Sequence, residues 1–248
     1  MSRNNPFDLS GKVILVTGGS RGLGYQMVKA FAEQGADLII ASRKLEACEA
    51  VAGEVRALGR RALAVACHVG KWDEVERLVE VAYTEFGRID VLVNNAGMSP
   101  AVPSHEVSEE LFDKVLGLNF KGPFRLGALV AHRMAAGAGG SIINVSSTGG
   151  IRPSPQIIPY AGAKAALNAM SVGLSLEYGP KVRVNTISAG PFLTDIAKAW
   201  TPEMRETCGN ALGRPGRPEE IVTTALYLAS PCSSYTTGAL IKVDGGLP

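Results

Sequence analysis

The stretch KVILVTGGSRGLGYQMVKAFAEQG, residues 12–35, decides the fold. Residues 12–17 are mostly apolar and β-branched, which predicts a buried strand, and residues 23–35 carry apolar side chains at helical spacing. Glycines at 18, 22 and 24 join the two and allow a tight turn. A strand, a glycine turn and a helix N-terminus together form a site for a pyrophosphate, because the helix end presents N–H donors. No Lys-Ser or Lys-Thr follows the last glycine, so the turn is not a Walker A loop.

The same alternation of strand and helix continues to the C-terminus. Apolar runs predict further strands over 37–42, 61–69, 89–97, 140–147, 182–188 and 239–244, with helices over 44–58, 71–87, about 108–136, about 158–178 and 218–230. Strands that are apolar almost throughout are buried on both faces, which indicates a parallel sheet. We therefore predict one α/β domain, residues 1–248, with a doubly wound Rossmann-type fold and a mainly parallel seven-stranded sheet between two layers of helices. Residues 1–10 would be an N-terminal tail and residues 190–216 a lid over the substrate.

The composition excludes several classes of protein. The chain has 248 residues, 46% hydrophobic and 19% charged, with a formal net charge of +2. Its lysines and arginines are scattered, so no nucleic acid is expected as a partner. No apolar run approaches the roughly 18–20 residues that a membrane span needs. The four cysteines form no CxxC pair and there are only three histidines, which favours a cytoplasmic protein with reduced thiols and no metal site.

Residues at the end of the second predicted strand bear on the choice of nucleotide. NAD-binding proteins usually carry an acid there, which accepts hydrogen bonds from the ribose hydroxyls. Here Ser42 and Arg43 stand in its place, and Arg21 lies within the glycine turn. Either arginine alone is equally well explained as a solvated surface residue. Two guanidiniums at one end of the site suit a 2′-phosphate, so together they predict NADP (NADPH) as the cofactor.

Tyr160 and Lys164 are four residues apart at the start of an apolar helix, and residues at this spacing share one helix face. A nearby ammonium favours the phenolate form, so we expect Lys164 to lower the pKa of Tyr160 from its usual value of about 10. A phenol whose pKa is lowered in this way could exchange a proton with a substrate oxygen. Taken singly, each residue is equally well explained as an ordinary helix residue.

Six motifs in their order and spacing resemble the short-chain dehydrogenase/reductase family over essentially the whole chain: TGGSRGLG (17–24), NNAG (94–97), Asn119, NVSS (144–147), YAGAK (160–164) and VDGG (243–246). The resemblance implies a carbonyl reductase or alcohol dehydrogenase. In such an enzyme Tyr160 would be the general acid–base and Ser147 would hold the substrate oxygen. Lys164 would bind the ribose hydroxyls, and Asn119 would organise a water-linked proton path.

Cofactor contacts are expected from the glycine turn, the strand ends and the loops around the same cleft. The residues are Gly18, Ser20, Arg21, Gly22, Leu23, Gly24, Ser42, Arg43, His68, Val69, Asn95, Ala96, Gly97, Tyr160, Lys164, Gly190 and Thr194.

Two positions depart from the family pattern. His68 stands where the family usually has an aspartate that accepts from the adenine amino group. A neutral imidazole can still accept through one nitrogen, so we expect altered adenine contacts rather than loss of binding, although a solvent-facing histidine explains the residue equally well. In SAGPF, residues 188–192, Ala189 stands in place of the proline of the family's usual Pro-Gly, and Pro191 adds a proline just beyond it, so the entry to the substrate loop differs at the position from which Thr194 is assigned.

The sequence leaves the substrate open between a 3-oxoacyl thioester and a sugar or polyol. Ile151, Ile157, Ile158, Phe192 and Trp200 predict a partly apolar pocket, and Arg152 is the one cation near its rim. The alternative function is a non-catalytic, NADP-binding regulatory or scaffold protein, which would not need all four of the catalytic-type residues. Small and apolar residues on the helices over 108–136 and 158–178 favour a homotetramer, as in the family, over packing within one subunit.

Overall fold

The computed structural model describes residues 5–195, 197 and 200–247. Within these residues one sheet contains seven strands, β1 (Val13–Thr17), β2 (Asp37–Ser42), β3 (Ala62–Ala66), β4 (Val91–Asn94), β5 (Gly140–Ser147), β6 (Val182–Ala189) and β7 (Leu240–Val243). The strand order is β3-β2-β1-β4-β5-β6-β7, and every pairing is parallel. The order reverses between β1 and β4, which is the switch point where doubly wound sheets bind ligands. The predicted seven-stranded Rossmann-type fold is confirmed.

The helices that flank the sheet are α1 (Gly22–Glu33), α2 (Leu45–Ala57), α3 (Trp72–Phe86), α4 (Glu109–Leu116), α5 (Gly122–Ala136), α6 (Ile158–Glu177), α7 (Pro202–Glu206) and α8 (Val222–Ala229). Helices α1, α2 and α8 enclose one apolar core, and α3, α5 and α6 enclose a second on the other face. In β1, Ile14 and Val16 belong to the first core whereas Val13 and Leu15 belong to the second. Burial on both faces is why this strand has no polar alternation.

The helix predicted over 108–136 is interrupted at Gly117–Lys121 by a π-helical turn that separates α4 from α5. A Cβ on Gly122, where α5 begins, would overlap the carbonyl oxygen of Val69, so only glycine lets the chain approach the loop after β3. Pro123 then lacks the N–H that a regular helix would use. The buried side chain of Asn119 lies in this π-helical turn. Single π-helical turns within helices are frequent at functional sites.

The two ends of the predicted lid, residues 190–216, are joined to each other by main-chain hydrogen bonds. The N–H of Leu193 donates to the carbonyl of Gly216 (2.9 Å), and the N–H of Gly216 donates to the carbonyl of Pro191 (2.9 Å). The side chain of Asn210 donates to the carbonyls of Arg214 and Asp244, both at 3.0 Å. Residues 196, 198 and 199 of the predicted lid lie outside the described residues. The base of the predicted lid is therefore held by main-chain hydrogen bonds and by the side chain of Asn210.

Candidate active site

The glycine turn connects β1 to α1 at the switch point. Gly18 (φ +64°) and Gly22 (φ +55°) adopt left-handed conformations that L side chains rarely take. A Cβ on Gly24 would overlap the carbonyl oxygen of Gly18, so the turn cannot accept a larger residue there. No side chain caps α1 and no acid lies in its first turn. Its first N–H groups and the positive end of the helix dipole therefore suit the phosphates of a dinucleotide.

The loop after β4 supports the glycine turn. The Asn95 side chain donates to the carbonyls of Thr17 (3.0 Å) and Gly18 (3.3 Å), and the Thr17 hydroxyl accepts from the N–H groups of Asn95 (3.0 Å) and Ala96 (3.2 Å). Asn94 turns the other way and donates to the side chain of Asn144 (2.9 Å). Two of the predicted cofactor residues, Asn95 and Ala96, thus stabilise the glycine turn through hydrogen bonds to Thr17 and Gly18.

Four predicted catalytic residues meet at the carboxyl ends of β4 and β5. Ser147 ends β5, Tyr160 and Lys164 lie in the first two turns of α6, and Asn119 lies in the π-helical turn. A Cβ on Gly97 would lie 2.8 Å from Asn119 Oδ1 and 3.6 Å from Lys164 Nζ. One on Gly149 would lie 3.5 Å from Ser147 Oγ and 3.8 Å from the ring of Tyr160. The two glycines therefore sit between the four side chains, which form one cluster.

Burial determines the protonation of this cluster. It raises the pKa of Tyr160 above its usual 10, while a hydrogen bond with Ser147 acts in the opposite direction. Burial also lowers the pKa of Lys164 to about 8. The Lys164 ammonium donates to the carbonyl of Val145 (2.8 Å) and lies 5.7 Å from the centre of the Tyr160 ring. The lowering of the Tyr160 pKa that the sequence led us to expect is therefore absent from this structure, because desolvation by burial outweighs the hydrogen bond with Ser147.

Asn119 is fully buried and its amide is saturated as a donor. Its Nδ2 donates to the carbonyls of Val115 and Met98, both at 2.9 Å, and its Oδ1 accepts from the N–H of Met98 (3.3 Å). These bonds hold the π-helical turn against the loop that carries Gly97. The side chain has no N–H left for a water, so any part of Asn119 in a proton path must use an acceptor atom.

The residues predicted to hold the far end of the nucleotide lie in the loops after β1, β2 and β3. The hydroxyls of Ser20 and Ser42 are 3.0 Å apart, and Ser42 Oγ is also 3.0 Å from the sulfur of the buried Cys48. Arg43 is exposed and has no hydrogen bond or ion pair within the described residues. Arg21 Nη1 lies 3.1 Å from Asp195 Oδ2 in the predicted lid.

The loop after β3 changes the expectation for His68. The main-chain N–H of Gly70 donates to His68 Nδ1 (3.2 Å). The main-chain N–H of His68 donates to the carboxylate of Glu74 (2.7 Å). A neutral imidazole has one acceptor nitrogen, and here Gly70 already occupies it. The free ring nitrogen, Nε2, then carries the hydrogen, so the ring offers a donor and not the acceptor that the sequence led us to expect. Val69 buries its side chain, which leaves only its main chain for a nucleotide.

A family model described as short chain dehydrogenase matches residues 12–205, from the start of β1 through α7. The chain belongs to the short-chain dehydrogenase family. It is 40% identical over 243 residues to a 3-oxoacyl-(acyl-carrier-protein) reductase of Chlamydia trachomatis, with 96% of this chain and 98% of the relative covered.

Solved structures of related proteins have the same fold. A 7α-hydroxysteroid dehydrogenase in complex with NADH and 7-oxo glycochenodeoxycholic acid has a TM-score of 0.92 at 31% identity, with 99% of this chain and 98% of the other covered. A blue fluorescent protein from a metagenomic library, in complex with NADPH, has a TM-score of 0.89 at 33% identity, with 96% and 98% covered.

The short-chain dehydrogenase assignment makes this protein an oxidoreductase that acts on CH–OH or carbonyl groups with a nicotinamide cofactor. The uncapped first turn of α1, with Gly22 and Gly24 in it and Gly18 before it, fits such a dinucleotide. Family membership favours this enzyme over the alternative of a protein that only binds nucleotide. No helix within the described residues is long and apolar enough to cross a bilayer.

The predicted substrate side of this short-chain dehydrogenase lies next to Tyr160. A narrow apolar slot beside the phenol is lined by Pro100, Val102, Val107, Leu111, Val115, Gln156 and Pro159. The N–H of Val102 donates to the carbonyl of Gln156 (2.9 Å) and joins the two predicted substrate loops. Gln156 has φ +66°, a conformation that costs a non-glycine residue energy and often marks a functional site.

The predicted pocket residues separate into two groups. Ile151 and Ile158 are exposed and Ile157 is partly exposed, as a substrate rim requires, and Arg152 is exposed beside them. Phe192 is buried and packs on Gly216 within the core beneath the lid, so it does not line the pocket. Its aromatic character in the sequence gave no sign of this, because the partner is a glycine 24 positions away.

The two predicted cofactor residues before the lid also differ from each other. A Cβ on Gly190 would lie 2.6 Å from the backbone of Asp244, so glycine is required there by packing against the segment after β7. Thr194 reaches the glycine turn: its side chain is 3.5 Å from where a Cβ on Gly22 would lie. The next residue, Asp195, was not predicted. Its contact with Arg21 joins positions 174 apart, and no local pattern in the sequence signals it.

Proposed function

We propose that this protein is an NADP-dependent carbonyl reductase or alcohol dehydrogenase whose substrate is partly apolar. The observation that supports it is the cluster of Ser147, Tyr160 and Lys164, which lies at the same sheet edge as an uncapped glycine turn. When bound, the nicotinamide cofactor exchanges a hydride with the substrate carbon.

The protonation of the cluster suits reduction at neutral pH. Because burial raises the pKa of Tyr160, its Oη carries a proton that it can donate to a carbonyl oxygen. The Ser147 hydroxyl orients that oxygen. With a pKa of about 8, Lys164 is mostly protonated at pH 7, and its ammonium then stabilises the phenolate that is left after the transfer.

The preference for NADP rests on charge at the far end of the site. No acid follows β2, where Ser42 and Arg43 stand instead, and Arg43 has no partner within the described residues. Arg21 lies on the same turn as the first N–H groups of α1. A 2′-phosphate would meet two guanidiniums there, whereas an unmodified ribose would meet no carboxylate. The related structures do not decide between NAD and NADP, because one of them holds NADH and another holds NADPH.

For the substrate we favour a 3-oxoacyl thioester over a sugar or polyol. The exposed side chains of Ile151 and Ile158 lie on the predicted substrate rim near Tyr160, and a hydroxyl-rich substrate would leave this apolar surface poorly matched. Arg152 on the same rim could pair with a carboxylate or with the phosphate of a thioester carrier. The name of the reductase relative points to the same class. The segment between residues 194 and 209 would close over the substrate as the lid.

We further propose a homotetramer in the reducing cytoplasm. Two separate surfaces carry exposed apolar side chains, one on α4, α5 and α6 (Phe112, Phe124, Val172 and Leu176) and one at the edge strand β7 (Leu240). Two different self-complementary faces generate a closed tetramer with three two-fold axes. All four cysteines are free, as a reducing compartment would keep them.

The direct test is consumption of NADPH, followed by its absorbance, with 3-oxoacyl thioester surrogates, prochiral ketones and keto-sugars. We expect turnover of the thioesters by the wild type and a loss of about 10²–10⁴-fold in Tyr160→Phe, because positioned proton transfer contributes this much. NADPH binding should be unchanged in the variant. Tyr235→Phe removes a fully exposed phenol and is the matched control. Equal turnover by wild type and Tyr160→Phe would remove the phenol from the reaction.

A further inference from the structure

The start of the lid is fastened across the glycine turn. Leu193 is held to Gly216 by the backbone bond at the base of the lid. The Thr194 side chain then packs against Gly22, and the Asp195 carboxylate forms its ion pair with Arg21. Arg21 is 65% exposed and Asp195 38% exposed, so the pair stands at the surface, at the mouth of the cleft.

Arg21 therefore faces two competing anions. A guanidinium cannot be deprotonated in a protein, so it always binds a carboxylate or a phosphate that reaches it. Asp195 is already there, so a 2′-phosphate must displace its carboxylate to reach the guanidinium. Arg43 has no acid partner within the described residues, so of the two arginines only Arg21 carries this competition.

We propose that Asp195 is a specificity-determining residue that latches the lid to Arg21 and is displaced when a 2′-phosphate takes the guanidinium. The inference rests on the proposed binding of NADP. It has two consequences. Asp195 lowers the affinity for NADPH but not for NADH, and a nucleotide with a 2′-phosphate frees the lid whereas one without it leaves the latch in place.

The first test is calorimetric titration of four proteins with NADPH and with NADH: wild type, Asp195→Asn, Arg21→Gln and the double variant. Exposed ion pairs contribute about 0.2–1 kcal/mol, so we expect Asp195→Asn to tighten NADPH about 1.5- to 5-fold and to leave NADH unchanged. In the Arg21→Gln background the same substitution should have no effect on NADPH. Glu206→Gln, which removes an equal charge from α7 of the lid, is the matched control.

A gain that is equal for NADPH and NADH, or equal to that of Glu206→Gln, would overturn the inference, since general electrostatics would then explain it. The proposed cofactor preference fails separately. If the wild type binds NADH more tightly than NADPH while Asp195→Asn still shifts the ratio through Arg21, the preference is wrong and the latch stands.

The second test reads the lid without any nucleotide. In a Trp72→Phe background, Trp200 of the lid is the only remaining tryptophan. We expect Asp195→Asn and Arg21→Gln to lower the anisotropy of Trp200 fluorescence by the same amount, and the double variant to add nothing. NADP⁺ should produce the same change in the wild type and NAD⁺ should not. An anisotropy that neither variant alters would show that the pair does not hold the lid.

Discussion

The catalytic cluster and the ribose end of the nucleotide cleft use the same sheet edge but are built in opposite ways. In the cluster, Lys164 and Asn119 are buried and held by main-chain carbonyls. At the ribose end, Arg21 and Arg43 are exposed, and Arg21 contacts the lid. Buried polar groups must be paired, so the cluster tolerates one arrangement, whereas solvent satisfies the exposed arginines in several. On the proposed function, the chemistry would be fixed by the core and the choice of cofactor would be set at the surface.

The largest effect is expected from Lys164→Met, which tests whether the buried cluster is built for chemistry rather than for stability. Turnover should fall at least about 100-fold, because the phenolate loses its ammonium. Yet the melting temperature should rise, since a desolvated ammonium with one carbonyl partner is replaced by an apolar side chain of similar volume. Each kcal/mol gained raises Tm by about 2–4 °C in a chain of this size. An activity assay measures the turnover and calorimetry measures the Tm. The control is Lys181→Met, at an exposed lysine, which should change neither the turnover nor the Tm. A fall in Tm would mean that Lys164 is structural.

The pH profile of reduction separates Lys164 from Tyr160. Lys164 loses its proton near pH 8, so kcat/KM should be flat below about pH 7 and fall as pH rises through 8. The Tyr160 proton stays on the phenol to higher pH because its pKa is raised. Arginine keeps its charge over this range, so Lys164→Arg should remove the fall near pH 8 from whatever activity it retains. A profile with the same midpoint in both proteins would assign the titration elsewhere.

Arg43→Ala tests the role of the exposed arginines in the choice between NADPH and NADH. Hydrogen bonds to charged groups contribute about 1.5–3 kcal/mol, so the Kd for NADPH should rise about 10-fold or more, with no change for NADH. The kcat at saturating NADPH should stay the same, because no catalytic side chain depends on Arg43. Titration of both nucleotides measures this, with Arg152→Ala at the substrate rim as the control. Equal weakening of NADPH and NADH would place Arg43 on a phosphate that both share.

The smallest effect is expected from His68→Asp, which replaces a donor with an acceptor. One added hydrogen bond contributes about 0.5–1.5 kcal/mol, so NADPH should bind about 2- to 10-fold more tightly. The gain should vanish with the hypoxanthine analogue of NADPH, which lacks the amino group that a carboxylate would accept from. His105→Asp, at an exposed histidine of the loop after β4, is the control. A gain that persists with the analogue would show that the adenine amino group is not involved.

The strands, the glycine turn and the grouping of Asn119, Ser147, Tyr160 and Lys164 could be predicted from the sequence, because they follow from local patterns and from the motifs of the family. Apolar runs indicate buried strands, and Tyr160 and Lys164 are related by one turn of helix. The π-helical turn at 117–121 was missed, since the chain beside it is packed at Gly122 against Val69, a contact between distant positions that no local pattern indicates.

Residues whose state depends on distant partners were predicted less well. The pKa of Tyr160 follows from desolvation by several elements, so a count of nearby charges gave the wrong direction. His68 lost its acceptor to the N–H of Gly70, which only the loop geometry reveals. The contact of Asp195 with Arg21 can be recognised only in the structure, where the lid lies next to the glycine turn.

The hydrogen bond between Val102 and Gln156 has a consequence for anyone who wishes to change what this enzyme accepts. The two loops that it joins are 54 positions apart in the chain but form one wall of the slot beside Tyr160. Because the bond is between main-chain atoms, substitutions that keep the backbone conformation of both loops leave it in place. Varying both loops together while keeping Gln156 as glutamine, asparagine or glycine, which tolerate its positive φ best, retains a folded wall and changes only its side chains.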